Sequence, residues 1–222
     1  SGEKVVSIPN TIDTHIFCPK DRAAARLQMG LPEKGRIVLF VSQKVTNERK
    51  GAAYFIEAIN RLADANPEFK AETAVAILGA SADEIAEPHS RHGIELRKCP
   101  HDHNAQQIAS VYNAADVYVL PSLEDNLPNT IMESMACGVP SVGFRVGGIP
   151  EMIDHKRNGY VANFKDAADL AEGIRWTLYE ADPKELTANC LHKVAMSYSQ
   201  QSVAMKYIEV YNETAAMKKY II

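Results

Sequence analysis

Several kinds of protein are excluded by what this sequence lacks. Its cysteines, Cys18, Cys99, Cys137 and Cys190, stand far apart, with no Cys-x-x-Cys and no zinc-like spacing. They read as reduced thiols rather than a disulfide framework or a metal knuckle, and a cytoplasmic setting is expected. No apolar run reaches the ~18 residues of a membrane span, and no signal peptide is recognisable at the start. Lys and Arg never cluster beyond adjacent pairs, and the formal net charge is -4, so no nucleic-acid partner is expected. Gly-x-Gly-x-x-Gly is missing too: Gly147-Gly148 falls in the wrong place with the wrong spacing, which disfavours a dinucleotide-dependent dehydrogenase. There is no internal repeat and no low-complexity segment.

What is present is an ordinary globular composition, 46% hydrophobic and 23% charged over 222 residues, enough for one domain with a substantial core. Residues 1–35 read as a lead-in: Val5-Val6-Ser7-Ile8, a Pro9-Asn10-Thr11 turn, then helix formers from Asp21 to Met29 with Gly30 as C-cap. From residue 37 a regular alternation begins. Ile37–Val41 is an unbroken apolar run, as in a strand buried on both faces. Further strands are predicted at 73–78, 94–99, 117–120, 139–144 and 159–162. Helices are predicted at 52–63, 104–115, 127–137, in a short stretch from Pro150, and at 167–180, 183–197 and 201–219. Strands alternating with helices imply an α/β fold with a doubly wound parallel sheet, since parallel neighbours need a crossover. The last helix carries Met205, Tyr207, Ile208, Val210 and Tyr211 and is apolar on nearly all sides, so it wants a partner surface.

In open α/β sheets ligands sit at the carboxyl ends of strands, which directs attention to the stretch after the fourth strand, Pro121 to Glu133. Asp125 or Asn126 is a natural N-cap and Pro128 fits the first turn of the helix. The amides and the helix dipole there suit a phosphate. Asp125 and Glu133, eight residues apart, would stand about 12 Å apart along a helix axis. Taken alone, the same pattern also fits a capped helix whose acids are structural.

The wider pattern is more specific. Pro121-Ser122, an acid, seven residues, Glu133, then Ser134-Met135-Ala136-Cys137-Gly138-Val139-Pro140 resembles the signature of glycosyltransferase family 4, the glycosyl transferases group 1. Gly147-Gly148-Ile149-Pro150-Glu151 and Asn158-Gly159-Tyr160-Val161 are similar to family segments as well. Pro9-Asn10-Thr11-Ile12-Asp13-Thr14 and Phe17 resemble the hinge entering the family's second domain. The resemblance implies the second, Rossmann-like half of a GT-B enzyme, with 1–35 as hinge, 36–198 as the nucleotide-sugar-binding domain, and 199–222 as a helix packing toward a missing N-terminal acceptor-binding domain. Any peripheral membrane contact would come through that missing half.

By the same resemblance the donor is a nucleoside diphosphate sugar, the reaction is retaining hexosyl transfer to a glycan, lipid or small molecule, and no metal or other cofactor takes part. Asp125 would contact the sugar hydroxyls, Glu133 the ribose, and Asn126, Leu127, Pro128, Asn129 and Thr130 the diphosphate or sugar. Carboxylates suit vicinal diols, and cations suit a leaving diphosphate.

Two departures stand out. Asn126-Leu127-Pro128 replaces the usual glycine-rich residues, and Pro128 offers no N–H. The family's Gly-Arg after the first strand falls on Gln43, so Lys44 or Arg49 is expected to supply the charge beside Lys50, which matches the family's Lys-Gly at Lys50-Gly51. Lys98-Cys99-Pro100 lies where the family's base-binding loop lies. His101-Asp102-His103 lacks a third ligand for a metal. The readings kept open beside transfer are a non-catalytic donor-binding module and a GT-B sugar-nucleotide epimerase-like enzyme.

Overall fold

Apolar strands without polar alternation need helices over both faces of their sheet, and the computed structural model supplies them. It describes residues 5–44, 46–80, 93–99 and 104–218. Strands β1 (Arg36–Lys44), β2 (Thr73–Ala80), β3 (Glu95–Lys98), β4 (Val117–Leu120), β5 (Ser141–Phe144) and β6 (Gly159–Ala162) form one sheet in the order β3-β2-β1-β4-β5-β6. Every pairing is parallel. Successive residues of each strand point to opposite layers. Ile37, Leu39, Tyr118 and Leu120 enter one core, with α1 (Arg22–Met29), α4 (Ala105–Ala114), α5 (Asn129–Ala136) and α8 (Pro183–Ser197). Val38, Phe40, Val117 and Val119 enter the other, with α2 (Ala52–Ala65) and α7 (Ala167–Tyr179). Phe40 stacks on Phe55 at 5.0 Å, an arrangement typically contributing ~0.5–1.5 kcal/mol beyond the area it buries. The fold is Rossmann-like, as expected.

Local signals mostly hold, among them the short helix expected from Pro150, α6 (Ile149–Met152). Asp21 caps α1, accepting from the Ala24 N–H at 2.8 Å, and Gly30 closes it with φ 65°. Pro140 lies just outside β5; its carbonyl still accepts from the Tyr118 N–H at 3.0 Å while its missing donor is not needed. Two short elements are absent from the sequence expectation: the 3-10 turn Glu48–Lys50, capped by Asn47, and α3 (Pro67–Glu72), capped by Asn66 with Pro67 in its first turn.

One expectation is corrected. Helix α5 does not run from Leu127 with Asp125 or Asn126 as cap; it starts at Asn129, and Pro128 holds the cap position without a side-chain cap bond. A residue before proline is pushed to extended backbone, and the Asn126 carbonyl is taken by the Gly148 N–H at 2.6 Å. Asp125 therefore lies in a loop, and a separation reckoned along a helix axis does not describe it.

The leading segment meets the end of α8. Ile12, Phe17, Ala25, Met29 and Leu31 are buried in the core that contains α4 and α5, and the Ile12 N–H donates to the Tyr198 carbonyl at 3.0 Å. Helix α9 (Gln200–Lys218) follows directly. Val203 is buried, whereas Met205, Tyr207, Ile208 and Tyr211 are all exposed.

Candidate functional site

Strands β1 and β4 are neighbours whose onward connections leave in opposite directions, so the sheet's switch point lies between their carboxyl ends. A cleft of about 490 Å³ opens there, within the range of small-molecule sites. Its floor is apolar, from Val41, Leu78, Ile108 and Leu120. Its polar wall brings together six of the expected residues: Gln43, Lys44, Arg49, Lys50, Thr130 and Glu133. A larger hollow of about 840 Å³ runs along the outer face of α2. Of its charged side chains, Glu48, Glu57, Arg61 and Asp64, only one is a cation, and Arg61 already pairs with Glu57 at 2.8 Å, so it lacks the cluster of cations found in the cleft.

Lys50 is delivered by the 3-10 turn after β1. Gly51 follows it with φ 67°, and a Cβ there would collide with the Pro121 carbonyl oxygen. The turn thus packs backbone to backbone on the β4–α5 connection, fastened by the Leu123 N–H donating to the Arg49 carbonyl at 2.7 Å. This close approach is the physical reason for a lysine followed by glycine. Lys50 Nζ then reaches Asp125 Oδ2 at 2.8 Å, and the Ser122 hydroxyl donates to the same oxygen at 3.1 Å. From the other side Gly147, at φ 52°, abuts the Asp125 carbonyl so closely that no Cβ fits. Asp125 is held by the ends of β1, β4 and β5 together.

Glu133 sits one turn into α5 and faces the cleft. Tyr112 of α4 donates its hydroxyl to Glu133 Oε2 at 3.0 Å. Burial pushes the Glu133 carboxyl above its ordinary value, and the Tyr112 hydrogen bond pulls part of that shift back. Tyr118 lies beneath, fully buried; burial holds its phenol far above the usual value, with the charges of Glu133 and Asp125 adding to the rise. Arg49 leans to Glu124 at 3.8 Å with both side chains exposed, a contact worth little.

Among the described residues, the other candidates, Asp125, Asn126, Leu127, Pro128 and Asn129, do not line the cleft. Asp125 touches it through Lys50. Asn126 and Asn129 are exposed, Leu127 is half-buried and Pro128 is buried. Asn129 accepts from the Asn10 side chain at 3.2 Å, linking the leading segment to α5. Pro100, His101, Asp102 and His103 lie outside the described residues. Among the described residues, no group of three His, Cys, Asp or Glu side chains gathers as a metal-ligand set, and no helix is long and apolar enough to cross a membrane.

Sequence reasoning missed Ser122 and Tyr112 as partners of the two acids. Ser122, three residues before Asp125, carried a faint local signal. Tyr112 was legible only as a core residue.

The family model described as "Glycosyl transferases group 1" matches residues 35–180. D-inositol 3-phosphate glycosyltransferase of Geodermatophilus obscurus is 27% identical over 221 residues, covering 96% of this chain and 48% of that protein. D-inositol 3-phosphate glycosyltransferase 2 of Catenulispora acidiphila is 29% identical over 179 residues, covering 77% and 42%. The chain spans about half the length of the curated relatives it matches. Among solved structures, sucrose-phosphate synthase of Thermosynechococcus elongatus superposes with a TM-score of 0.77 at 24% identity, covering 95% of this chain and 52% of that one. The C-terminal domain of a glycosyl transferase group 1 protein of Francisella tularensis gives 0.71 at 21%, covering 85% and 99%. Anabaena HepE, solved with UDP and glucose, gives 0.73 at 20%, covering 92% and 56%. The structures agree on the fold, that of a C-terminal GT-B half, and the family model extends over most of the chain: it belongs to the glycosyl transferases group 1.

Proposed function

We propose that this chain binds a nucleoside diphosphate sugar in the β1–β4 cleft and forms the donor half of a retaining, metal-independent hexosyltransferase. One observation carries the reading. Around a single cleft of about 490 Å³, the half-buried carboxylate of Glu133 stands with three cations, Lys44, Arg49 and Lys50. Glu133 accepts hydroxyls of the ribose. The cations receive the diphosphate, whose charge grows as the sugar departs, and preformed charges aimed at such a position favour the transition state. Asp125, fixed beside Lys50, takes hydroxyls of the transferred sugar. Lys44 and Arg49 together replace the charge absent at Gln43.

The acceptor is held by a further domain. In support, the chain spans only about half of its relatives, and α9 leaves Met205, Tyr207, Ile208 and Tyr211 exposed. The segment up to residue 35 serves as hinge, tied at Ile12 to the start of that last helix.

Calorimetric titration of UDP and UDP-glucose, chosen because HepE is solved with both, tests the reading, with other nucleoside diphosphates as further probes. Binding that persists in chelator is expected. Binding lost in chelator and restored by magnesium or manganese sinks metal independence. No binding of any nucleoside diphosphate sinks the site.

A further inference from the structure

The donor-site reading gives no part to the Tyr112 hydroxyl, yet its surroundings are built around one contact. The side chain is fully buried near the end of α4. Its ring meets Tyr118 edge-on at 5.6 Å and 87°, and Phe17 of the leading segment at 6.5 Å and 62°. So wedged, the ring aims its oxygen at Glu133 Oε2, 3.0 Å away. A buried phenol needs a hydrogen-bond partner, and here the partner is the carboxylate that faces the cleft.

We propose that Tyr112 is the positioning residue of Glu133: its hydroxyl occupies one carboxylate oxygen and fixes the orientation of the group, so that the other oxygen can accept hydroxyls of a ribose-bearing ligand. The proposal rests on the donor-site reading of the cleft. The hydrogen bond favours the charged form of Glu133 against the burial that opposes it. Other groups near Glu133 have different work. Lys44 from β1 and Arg49 and Lys50 from the following turn line the same cleft. Tyr118 rises from β4, and Asp125 is committed to Lys50. Cys137 at the far end of α5 is a buried thiol pushed up to about 12. β5 packs with Ser141 and Val142, and α8 brings Thr187 to Gly138 behind the helix.

The test is the pH dependence of UDP-glucose binding, since its doubly esterified diphosphate has no proton that titrates in the mildly acidic range. In the wild type, affinity falls as pH drops through the Glu133 midpoint. Tyr112→Phe keeps the ring and removes the hydroxyl, so the midpoint should move up by about one pH unit, the size a hydrogen bond to a carboxylate typically exerts. Affinity well above the midpoint should stay within a few-fold. Glu133→Gln should abolish the acid limb.

A lower melting temperature in Tyr112→Phe with an unmoved midpoint reduces Tyr112 to packing and overturns the proposal, leaving the donor site intact. No binding of UDP-glucose to the wild type at any pH overturns the donor site, and this proposal with it. If Tyr112→Phe does not fold, NMR titration of the wild type decides: the Tyr112 ring carbon bearing the hydroxyl must titrate with the Glu133 carboxyl, and a flat response overturns the proposal.

Discussion

Strand β4 has an aspartate near each end, and the ion pairs they make are finished differently. Asp116, just before the strand, binds Arg22 at 2.6 Å and Arg26 at 2.7 Å and accepts the Ile37 N–H at 2.7 Å. Arg26 is 4% exposed and gives its other donors to the carbonyls of Ala114, Glu33 and Gly35 at 3.0 to 3.1 Å. The Arg26–Asp116 pair is closed. Asp125, beyond the other end, shares one oxygen between Lys50 and Ser122, and Lys50 retains 25% of its side-chain surface and lines the cleft. A pair sealed by backbone holds a helix to the sheet. A pair whose cation still faces open space is able to take a ligand anion as well. The difference follows from the sheet, since ligands of parallel sheets collect at strand carboxyl ends.

The largest expected effect lies at the closed pair. Asp116→Ala leaves Arg26 buried without its anion, a change that typically costs about 3–5 kcal/mol. Urea unfolding should register it while the folded protein keeps its affinity for nucleoside diphosphate. A cost below about 1 kcal/mol would erase the contrast. Next comes Glu133→Ala, which should weaken UDP and UDP-glucose alike by about 1.5–3 kcal/mol, the loss typical of a charged hydrogen-bond partner.

Asp125→Ala sharpens the contrast within the cleft. It should spare UDP, weaken UDP-glucose, and cost less stability than Asp116→Ala, because Lys50 keeps 25% of its side-chain surface whereas Arg26 keeps 5%. Equal losses for both ligands would remove Asp125 from the sugar. Joined to the proposed acceptor-binding domain, the same substitution should lower turnover more than donor affinity.

The smallest effect concerns stability and pH. Burial raises the Glu133 pKa above its unfolded value, so the ionised carboxylate opposes folding at higher pH, and the penalty lifts as pH falls through that raised pKa. Glu133→Gln should therefore melt slightly above the wild type near pH 8, with the gap closing on acidification. Thermal melts across that range check it. A gap that widens on acidification contradicts the sign.

Much of the frame was legible along the chain. Ile37–Val41 and Val117–Leu120 read as strands buried on both sides because nothing polar interrupts them. Asp21 and Gly30 bracket α1 through purely local chemistry. Elsewhere local signals were outweighed or too short. Asn66-Pro67 starts a helix of only six residues, below the length at which periodicity is visible. Asp125 has the chemistry of a cap, yet Pro128 and the bond from Gly148 to Asn126 keep it off the helix.

By itself, then, the sequence determined the alternation of strands and helices, hence a parallel doubly wound sheet, and the stock of acids and cations clustered after the first and fourth strands. Hydrophobic period and turn chemistry act within a dozen residues, and these properties need no more. Which acid meets which partner was decided by the tertiary structure alone. Lys50 and Asp125 are 75 residues apart, and Tyr112 and Glu133 are 21 apart. Each pair meets only because the strand order sets β1 beside β4 and lays α4 against α5. That placement is an outcome of packing two cores at once, and no local pattern encodes it.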